Sequence, residues 1–399
     1  MRRISVSFDR FYRVWADVDL DAIRSNILQI QANLTPGTMS CAVIKADAYG
    51  HGAIQVAHAV GDLVDYYAVA TLDEAIMLRV HKVDHPILIL GYVDPVFAQT
   101  AAQFQIRLAV YDVDQAREIS QHVPSSMQVP VHIKLDTGMG RIGFQPTPES
   151  VEKILQIAQL PGIHVEGIFT HFANADGQTP DATLAQLGTF REMIRELEAL
   201  GLHFQVKHCS NSAAATYLRE ADMDMVRLGI SMYGLYPSCY VDQITLRPAL
   251  SLKSRVVHVK TVPKGFRVGY GSTWTAPDTS RIATVPVGYA DGYLRSLSNL
   301  GYVLIGGAKY KIAGRVCMDQ IMVDVTEPVE TSVDHAVVST GDEVVLAGSS
   351  GDLTITMEEI SELAGSFNYE FVCGLSMRVP RIYHQGGEVL EARDLLNVP

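Results

Sequence analysis

Between residue 41 and about residue 230, short runs of β-branched and apolar residues alternate with longer segments whose apolar residues recur at helical spacing. That alternation restricts the possible folds more than any other feature of the chain. The strand candidates are CAVIKA from 41, YYAVA from 66, PILIL from 86, RLAVY from 107, VHIKLD from 131, HVEGIFTH from 164, FQVKHC from 204 and DMVRLG from 224. Segments between them, such as DATLAQLGTFREMIRELEAL at 181–200, carry the helical pattern. Strands joined by helical crossovers run parallel, and eight of them is the number that closes a (β/α)8 TIM-type barrel. The fold expected is therefore α/β.

From about residue 243 the pattern changes to strands separated by Gly, Pro and Asp turns, as in SLKSRVVHVKTV, RIATVPVGY, KYKIAGRV and QIMVDV. These predict a second, mostly antiparallel β domain. The segment RVWADVDLDAI at 13 reads as a strand followed by a helix. As a ninth barrel strand it would be one too many, so the strand is assigned to the β domain. The expected organisation is an N-terminal extension at 1–12, a β-domain strand at 13–19, a barrel at 20–242 and the β domain at 243–399. A chain of 399 residues exceeds one ordinary core, and 48% hydrophobic against 19% charged residues supplies enough apolar area for two.

A formal net charge of -12 argues against a nucleic-acid surface, which would have to be assembled in a repulsive field. No apolar run reaches membrane-spanning length, and the opening MRRISVSFDR has no apolar stretch behind its arginines. A cytoplasmic protein is expected, without nucleic-acid or membrane partners. Five cysteines without a CxxC pair predict reduced thiols. His81 and His85 stand at helical spacing, but Pro86 ends any helix there and no third ligand is near, so no metal is expected.

Barrel active sites lie at the C-terminal ends of the strands. Lys45 ends the first strand, Lys134 and Asp136 end the fifth ahead of a loop carrying Arg141, and His171 ends the sixth. The seventh runs into Ser210, Asn211 and Ser212, and the eighth holds Arg227 followed by Gly229 and Ile230. A lone lysine in an apolar strand reads first as a snorkelling or edge residue. A desolvated lysine, however, has a lowered pKa and can form a Schiff base with a carbonyl cofactor. The loops after strands seven and eight are the common phosphate site of barrel enzymes, and SNS with RLGI supplies hydroxyl and backbone donors there. Lysine and phosphate site together suggest pyridoxal 5'-phosphate (PLP). Gly138, Gly140 and Gly143 in GMGRIG satisfy G-x-G-x-x-G, but on a late strand and with Pro146 and Pro148 blocking a helix directly after. That segment reads instead as a tight loop that aims Arg141 at the barrel mouth.

The segments AVIKADAYGHG, KLDTGMGRIGF, EGIFTHFANAD, CSNSAA, VRLGISMYGLYP, VGYGSTW, PVGYADGY, GRVCMDQ and FNYE, taken in this order, resemble the alanine racemases. The resemblance implies that Lys45 carries PLP and that Tyr49, Ser212, Tyr369 and the backbone of Gly229 and Ile230 bind its phosphate, with Asn211 alongside. It implies that Arg227 faces the pyridine nitrogen without protonating it, which keeps the ring a weaker electron sink and favours reprotonation of the α-carbon. Racemisation needs an acid/base group on each face. The resemblance gives these as Lys45 and Tyr270, with His171 hydrogen-bonded between Tyr270 and Arg227. Tyr270, Tyr289, Cys317, Met318 and Asp319 would come from the partner subunit of a homodimer. Arg141 would contact cofactor and substrate carboxylate, and Lys134 stands where the family often carries N6-carboxylysine. The implied activity interconverts L- and D-alanine, supplying D-alanine for the cell wall.

Basic amino-acid decarboxylases share the two-domain plan, but they place an acid where this chain has Arg227. A broader serine/alanine racemase differs only in packing around Tyr270, Tyr289 and Tyr369. A non-catalytic PLP carrier would need no residues 243–399. From local sequence, Tyr270 also reads as a turn aromatic packing on Trp274.

Overall fold

The computed structural model describes residues 13–332 and 336–394, so the extension expected at 1–12 lies outside the described residues. The chain divides into two units, one spanning Ala22–Arg247 and the other combining the chain up to Asp21 with the chain from Pro248 onward.

In the order of the chain, β1 (Val14–Asp19) belongs to the second of these units. The first is built on β2 (Met39–Val43), β3 (Tyr66–Val69), β4 (Ile87–Ile89), β5 (Ile106–Val110), β6 (Val129–Lys134), β7 (Ile163–Phe169), β8 (Val206–His208) and β9 (Met225–Leu228). From β2 to β8 the strands pair in parallel in sequence order, and β2 also pairs in parallel with β9, with Cys41 opposite Arg227. Between β8 and β9 the ring is completed by Asp224 N–H to Lys207 O at 3.0 Å and Arg227 N–H to Ser210 O at 3.1 Å. Each strand read from the sequence is present, and the barrel is the one expected.

The helices form where their caps are supplied. Thr71 and Glu74 make a reciprocal capping box for Leu72–Val80, and Thr147 caps Pro148–Ala158, whose proline sits where its missing N–H costs nothing. Asp181–Ala199 lays Leu187, Phe190, Met193, Ile194 and Leu197 into the core. His81 bonds its own helix carbonyl at Met77, and His85 packs edge-on against Tyr67.

In the second unit β1 lies inside a twelve-stranded sheet, antiparallel to Leu250–Arg255 and parallel to Arg381–Gln385. Among the described residues every other pairing in that sheet is antiparallel. A local core of Val262, Val268, Ala276 and Ile282 takes in Trp274 and Met322. Tyr270, two residues from Val268 of that core, is left 71% exposed, so it is not the packed turn aromatic.

Candidate active site

Lys45 follows β2, and the backbone after it does something no local signal predicts. Ala46, Asp47, Ala48 and Tyr49 all have φ between 51 and 55°, one turn of left-handed helix made without glycine. Each such residue costs about 1–2 kcal/mol through the clash of Cβ with the backbone. The turn persists because distant groups hold it. Glu74 accepts from Ala46 N–H at 2.6 Å through one carboxylate oxygen and from Ala70 N–H at 2.8 Å through the other, and Asp47 accepts from Ala53 N–H at 2.9 Å. Gly50 and Gly52, both at positive φ, let the chain leave the turn. The result delivers Tyr49 into the interior, its ring 5.2 Å from that of Tyr233. Strain of this kind concentrates at functional sites.

The Tyr49 hydroxyl meets Ser212 and Gly229. Ser212 Oγ accepts from Gly229 N–H at 2.7 Å, and a Cβ added to Gly229 would lie 3.1 Å from Tyr49 Oη and 3.3 Å from Ser212 Oγ. Any side chain at 229 would therefore fill this small cradle of hydroxyls and backbone donors. Asn211 shapes it from behind by capping Ser212–Tyr217, its Oδ1 accepting from Ala214 N–H at 3.1 Å, and Ile230 opens the turn that follows.

Arg227 is buried, yet none of its partners is a carboxylate. Its Nη1 donates to His208 Nδ1 at 2.9 Å, and its Nη2 reaches Thr170 O, His171 Nδ1 and Cys209 O at 3.0–3.1 Å. Its Nε–H has no partner among the described residues. Burial lowers the guanidinium to about 10, still a cation at neutral pH. His171 is pushed far below the ordinary imidazole value by burial and then by Arg227, Arg141, Lys134 and Lys45. It is neutral, and because Nδ1 accepts from Arg227, its proton sits on Nε2.

Lys134 is also buried, donating to Leu135 O at 2.5 Å with Nζ 5.5 Å from the centre of the Phe169 ring. Burial and then Arg227 bring its ammonium down to about 8. Burial would raise the Asp136 carboxyl, but N–H donors from Gly140, Gly138 and Met139, all on Oδ1 at 2.9–3.0 Å, together with Lys134 hold it below its usual value. This is the wrapped loop of GMGRIG. Gly143, φ 135°, passes so close to the strand that a Cβ would lie 2.5 Å from Asp136 N, and the next helix begins only at Pro148. Arg141 stands exposed on the loop.

The cluster is thus strongly cationic and rich in donors, with a lysine, a hydroxyl cradle and one unused guanidinium N–H. Those features fit a phosphorylated pyridine aldehyde: a dianionic phosphate would suit the cradle at Ser212, Gly229 and Tyr49, the aldehyde would take Lys45, and an unprotonated ring nitrogen would accept what Arg227 Nε offers.

The remaining candidates lie on the β unit, where the fold gathers most of them. Tyr289 N–H donates to Cys317 O and Ala290 N–H to Met318 O, both at 3.0 Å, which lays the Tyr289 turn against the Cys317–Asp319 loop. Tyr270, Cys317, Met318 and Asp319 line one cavity of ≈ 720 Å³, and Tyr270, Tyr289 and Met318 are all exposed. Asp319 pairs with Arg378 at 2.7 Å, and the buried Asp291 takes both terminal nitrogens of Arg13 at 2.7 and 2.8 Å. Tyr369 sits on the helix Asn368–Cys373 with its ring 5.4 Å from that of Phe367. Sequence reasoning passed over Arg13, Asp291 and Arg378, and also Arg107, His132, Glu166 and His208, which lie on four successive barrel strands. The available signal was the recurrence of ionisable residues in strands that otherwise face a core. Among the described residues no group of His, Cys, Asp and Glu is placed to hold a metal ion, and no helix is long and apolar enough to cross a membrane.

Comparison with known proteins gives family matches over both units: "Alanine racemase, N-terminal domain" over residues 18–237 and "Alanine racemase, C-terminal domain" over 249–383. The chain is 44% identical to the alanine racemase of Desulfovibrio desulfuricans over 95% of its own length and 99% of the relative's. Among solved structures it is similar to the alanine racemase of Clostridium difficile 630, with a TM-score of 0.91 at 39% identity, covering 99% of this chain and 100% of that one. It is also similar to a histidine racemase from Leuconostoc mesenteroides, with a TM-score of 0.84 at 30% identity over 94% and 99% of the two chains.

Proposed function

The chain belongs to the alanine racemase family of isomerases, and we propose from this that it interconverts L- and D-alanine with PLP on Lys45 by a two-base mechanism shared between two subunits. The observation that carries the reading is Arg227, a buried cation with a donor to spare where a decarboxylase would present an acid. When bound, PLP supplies the electron sink that makes the α-hydrogen of the amino acid acidic. Everything else falls to the chain.

Arg227 would donate to the ring nitrogen without protonating it, which would limit that sink and keep the α-carbon the preferred place for the returning proton. Ser212, Gly229, Ile230 and Tyr49 hold the phosphate, with Tyr369 as a further hydroxyl, so that Lys45 Nζ can take or return a proton on one face. Tyr270 of the partner subunit serves the other face through Oη. His171, neutral and protonated on Nε2, donates to that oxygen and stabilises the charge it carries once its proton has been given up. Arg141 takes the substrate carboxylate, with Tyr289, Cys317, Met318 and Asp319 of the partner subunit closing around the small side chain.

Lys134 completes the site as N6-carboxylysine. A lysine brought down to about 8 keeps roughly a fifth of its population as neutral amine at about pH 7.4, the form that attacks CO2 and releases one proton. The carbamate replaces a cation crowded by Arg227 and Arg141 with an anion that orients Arg141. The proposed setting is a cytoplasmic homodimer supplying D-alanine for the cell wall.

Incubating the protein with PLP and L-alanine and resolving the enantiomers tests the activity; alanine that stays L would overturn it. Mixing inactive Lys45→Ala and Tyr270→Phe proteins with proven subunit exchange tests the shared site. Half the dimers are then mixed, each with one intact site of two, so roughly a quarter of full activity should return. No recovery would assign Tyr270 to a same-chain or structural role. A second reading, broader specificity, is favoured by the likeness to a histidine racemase. Its test is the same chiral assay with serine and histidine.

A further inference from the structure

Behind Arg227 a row of polar side chains crosses the barrel core, one from each of four neighbouring strands, with His208, His132 and Glu166 buried and Arg107 half-buried. His208 Nε2 lies 2.9 Å from His132 Nδ1, His132 Nε2 lies 2.9 Å from Glu166 Oε2, and Arg107 donates to both Glu166 oxygens at 3.0 Å. Burial would raise the Glu166 carboxyl, but His132 and Arg107 outweigh it and hold it at about 2, so it is ionised.

The two ends of this row leave one assignment of protons. Arg227 has only donors to offer, so the nitrogen facing it, His208 Nδ1, is bare. An imidazole keeps at least one proton, so His208 carries its own on Nε2 and donates to His132 Nδ1. That nitrogen is therefore bare as well, and His132 carries its proton on Nε2, where the Glu166 carboxylate accepts it. Both rings are neutral, His132 and His208 each being lowered chiefly by burial. Two further contacts fix the rings in space: His208 stacks on Phe169 at 4.8 Å and 3°, and His132 lies over Gly167, where a Cβ would come within 2.7 Å of its Nδ1 and Cε1.

We propose that Glu166, anchored by Arg107, is a positioning residue for the cofactor ring, setting through His132 and His208 a single hydrogen-bond direction that grips Arg227 by Nη1 and leaves its Nε edge for the pyridine nitrogen. The role rests on the reading of Arg227 given above; the tautomers themselves do not. With Glu166 removed, either tautomer of His132 becomes available. Protonating its Nδ1 turns His208 so that an N–H faces the guanidinium, and Arg227 loses its seat.

The test begins with the apo-protein labelled with ¹⁵N-histidine, in which long-range ¹H–¹⁵N spectra distinguish Nδ1–H from Nε2–H. His132 and His208 should both be neutral Nε2–H tautomers from pH 6 to 9, and a proton on Nδ1 of either overturns the assignment. The variant Glu166→Leu/Arg107→Leu removes both charges together and so strands neither. It should show Nδ1–H signal at His132 and bind PLP on the order of tenfold more weakly, the loss expected for about one misaligned hydrogen bond. A folded variant that keeps both Nε2–H tautomers, or binds PLP as tightly as the parent, refutes the role of Glu166. Should the variant not fold, Glu166→Gln supplies the same comparison: its amide presents either an oxygen or an N–H to His132, so mixed tautomers are expected and a single Nε2–H form refutes the role. Failure of the unaltered protein to bind PLP would refute the cofactor reading and leave the tautomer result standing.

Discussion

Replacing Ala46 by glycine should stabilise the protein, the reverse of what this substitution does in an ordinary helix. Ala46 is exposed at φ 51°, so its methyl group contributes no burial and incurs the left-handed penalty. Relieving it recovers about 1–2 kcal/mol. The glycine costs about 0.5–1 kcal/mol in extra freedom of the unfolded chain, leaving a net gain of about 0.5–1 kcal/mol. In a unit of this size that raises the melting temperature by about 1–3 °C. The control is Ala185→Gly, exposed within the right-handed helix Asp181–Ala199, which should lose about 1 kcal/mol. Ala48→Gly has the same φ relief but gives up a buried methyl, about 0.8 kcal/mol, and should come out near neutral. Thermal unfolding of the apo-proteins side by side reads all three. If Ala46→Gly falls as far as Ala185→Gly, the segment after Lys45 is right-handed in solution and the account of its strain is wrong.

Gly167→Ala should be strongly destabilising, by about 2–4 kcal/mol, because its Cβ would meet Val206 O at 2.6 Å as well as the His132 ring; a melting temperature equal to the parent's would count against that packing. Lys134 has a folded pKa of about 8 against an ordinary 10.5, so its contribution to stability is complete above the ordinary value and is lost as the pH falls through 8. In CO2-free buffer, urea unfolding between pH 8 and 10 should show stability rising with pH relative to Lys134→Met, and parallel curves would show that Lys134 titrates normally. In the assembled enzyme Lys134→Ala should lose activity and regain part of it with small carboxylates; no rescue would argue against a carbamate. Ser212→Ala removes the oxygen that accepts from Gly229 N–H and should weaken PLP binding about five- to tenfold in an absorbance titration, and unchanged affinity would remove Ser212 from the phosphate site.

The cation excess around Lys45 ties these expectations together. Lys45, Lys134, Arg141 and Arg227 all act to lower His171, with Asp136 beside Lys134 as the carboxylate within the cluster. A dianionic phosphate and a carbamate each relieve part of that repulsion, so ligand and modification are both stabilised by the same field. The β unit is organised differently. There the buried Asp291 neutralises Arg13 and accepts from Gly288 N–H, while Arg378 holds Asp319, so Asp319 and the turn that carries Tyr289 are anchored by ion pairs before any partner arrives.

The barrel was legible in the sequence because strand and helix periodicities are local properties of side chains facing one core. The same locality placed Lys45, Asn211, Ser212 and Arg227 at strand ends, and the change of pattern near residue 243 announced the second unit. Nothing local in Ala46–Tyr49 signals a left-handed turn; it is held by Glu74, a residue on another element whose carboxylate reaches Ala46 N–H. Arg107, His132, Glu166 and His208 carry no local signal because their partners lie on other strands, two strands away in the case of Arg107 with Glu166 and of His132 with His208. Which of them meet depends on register, and the register shifts between β6 and β7, with Val131 opposite Val165 but His132 opposite Gly167, so that Glu166 falls in the bulge. Likewise Tyr270 and Trp274 share one turn, and only the packed sheet determines that the tryptophan joins the core while the tyrosine stays exposed. Composition and spacing determine which faces can be buried; the pairing of polar groups within them requires distances that only the folded chain creates.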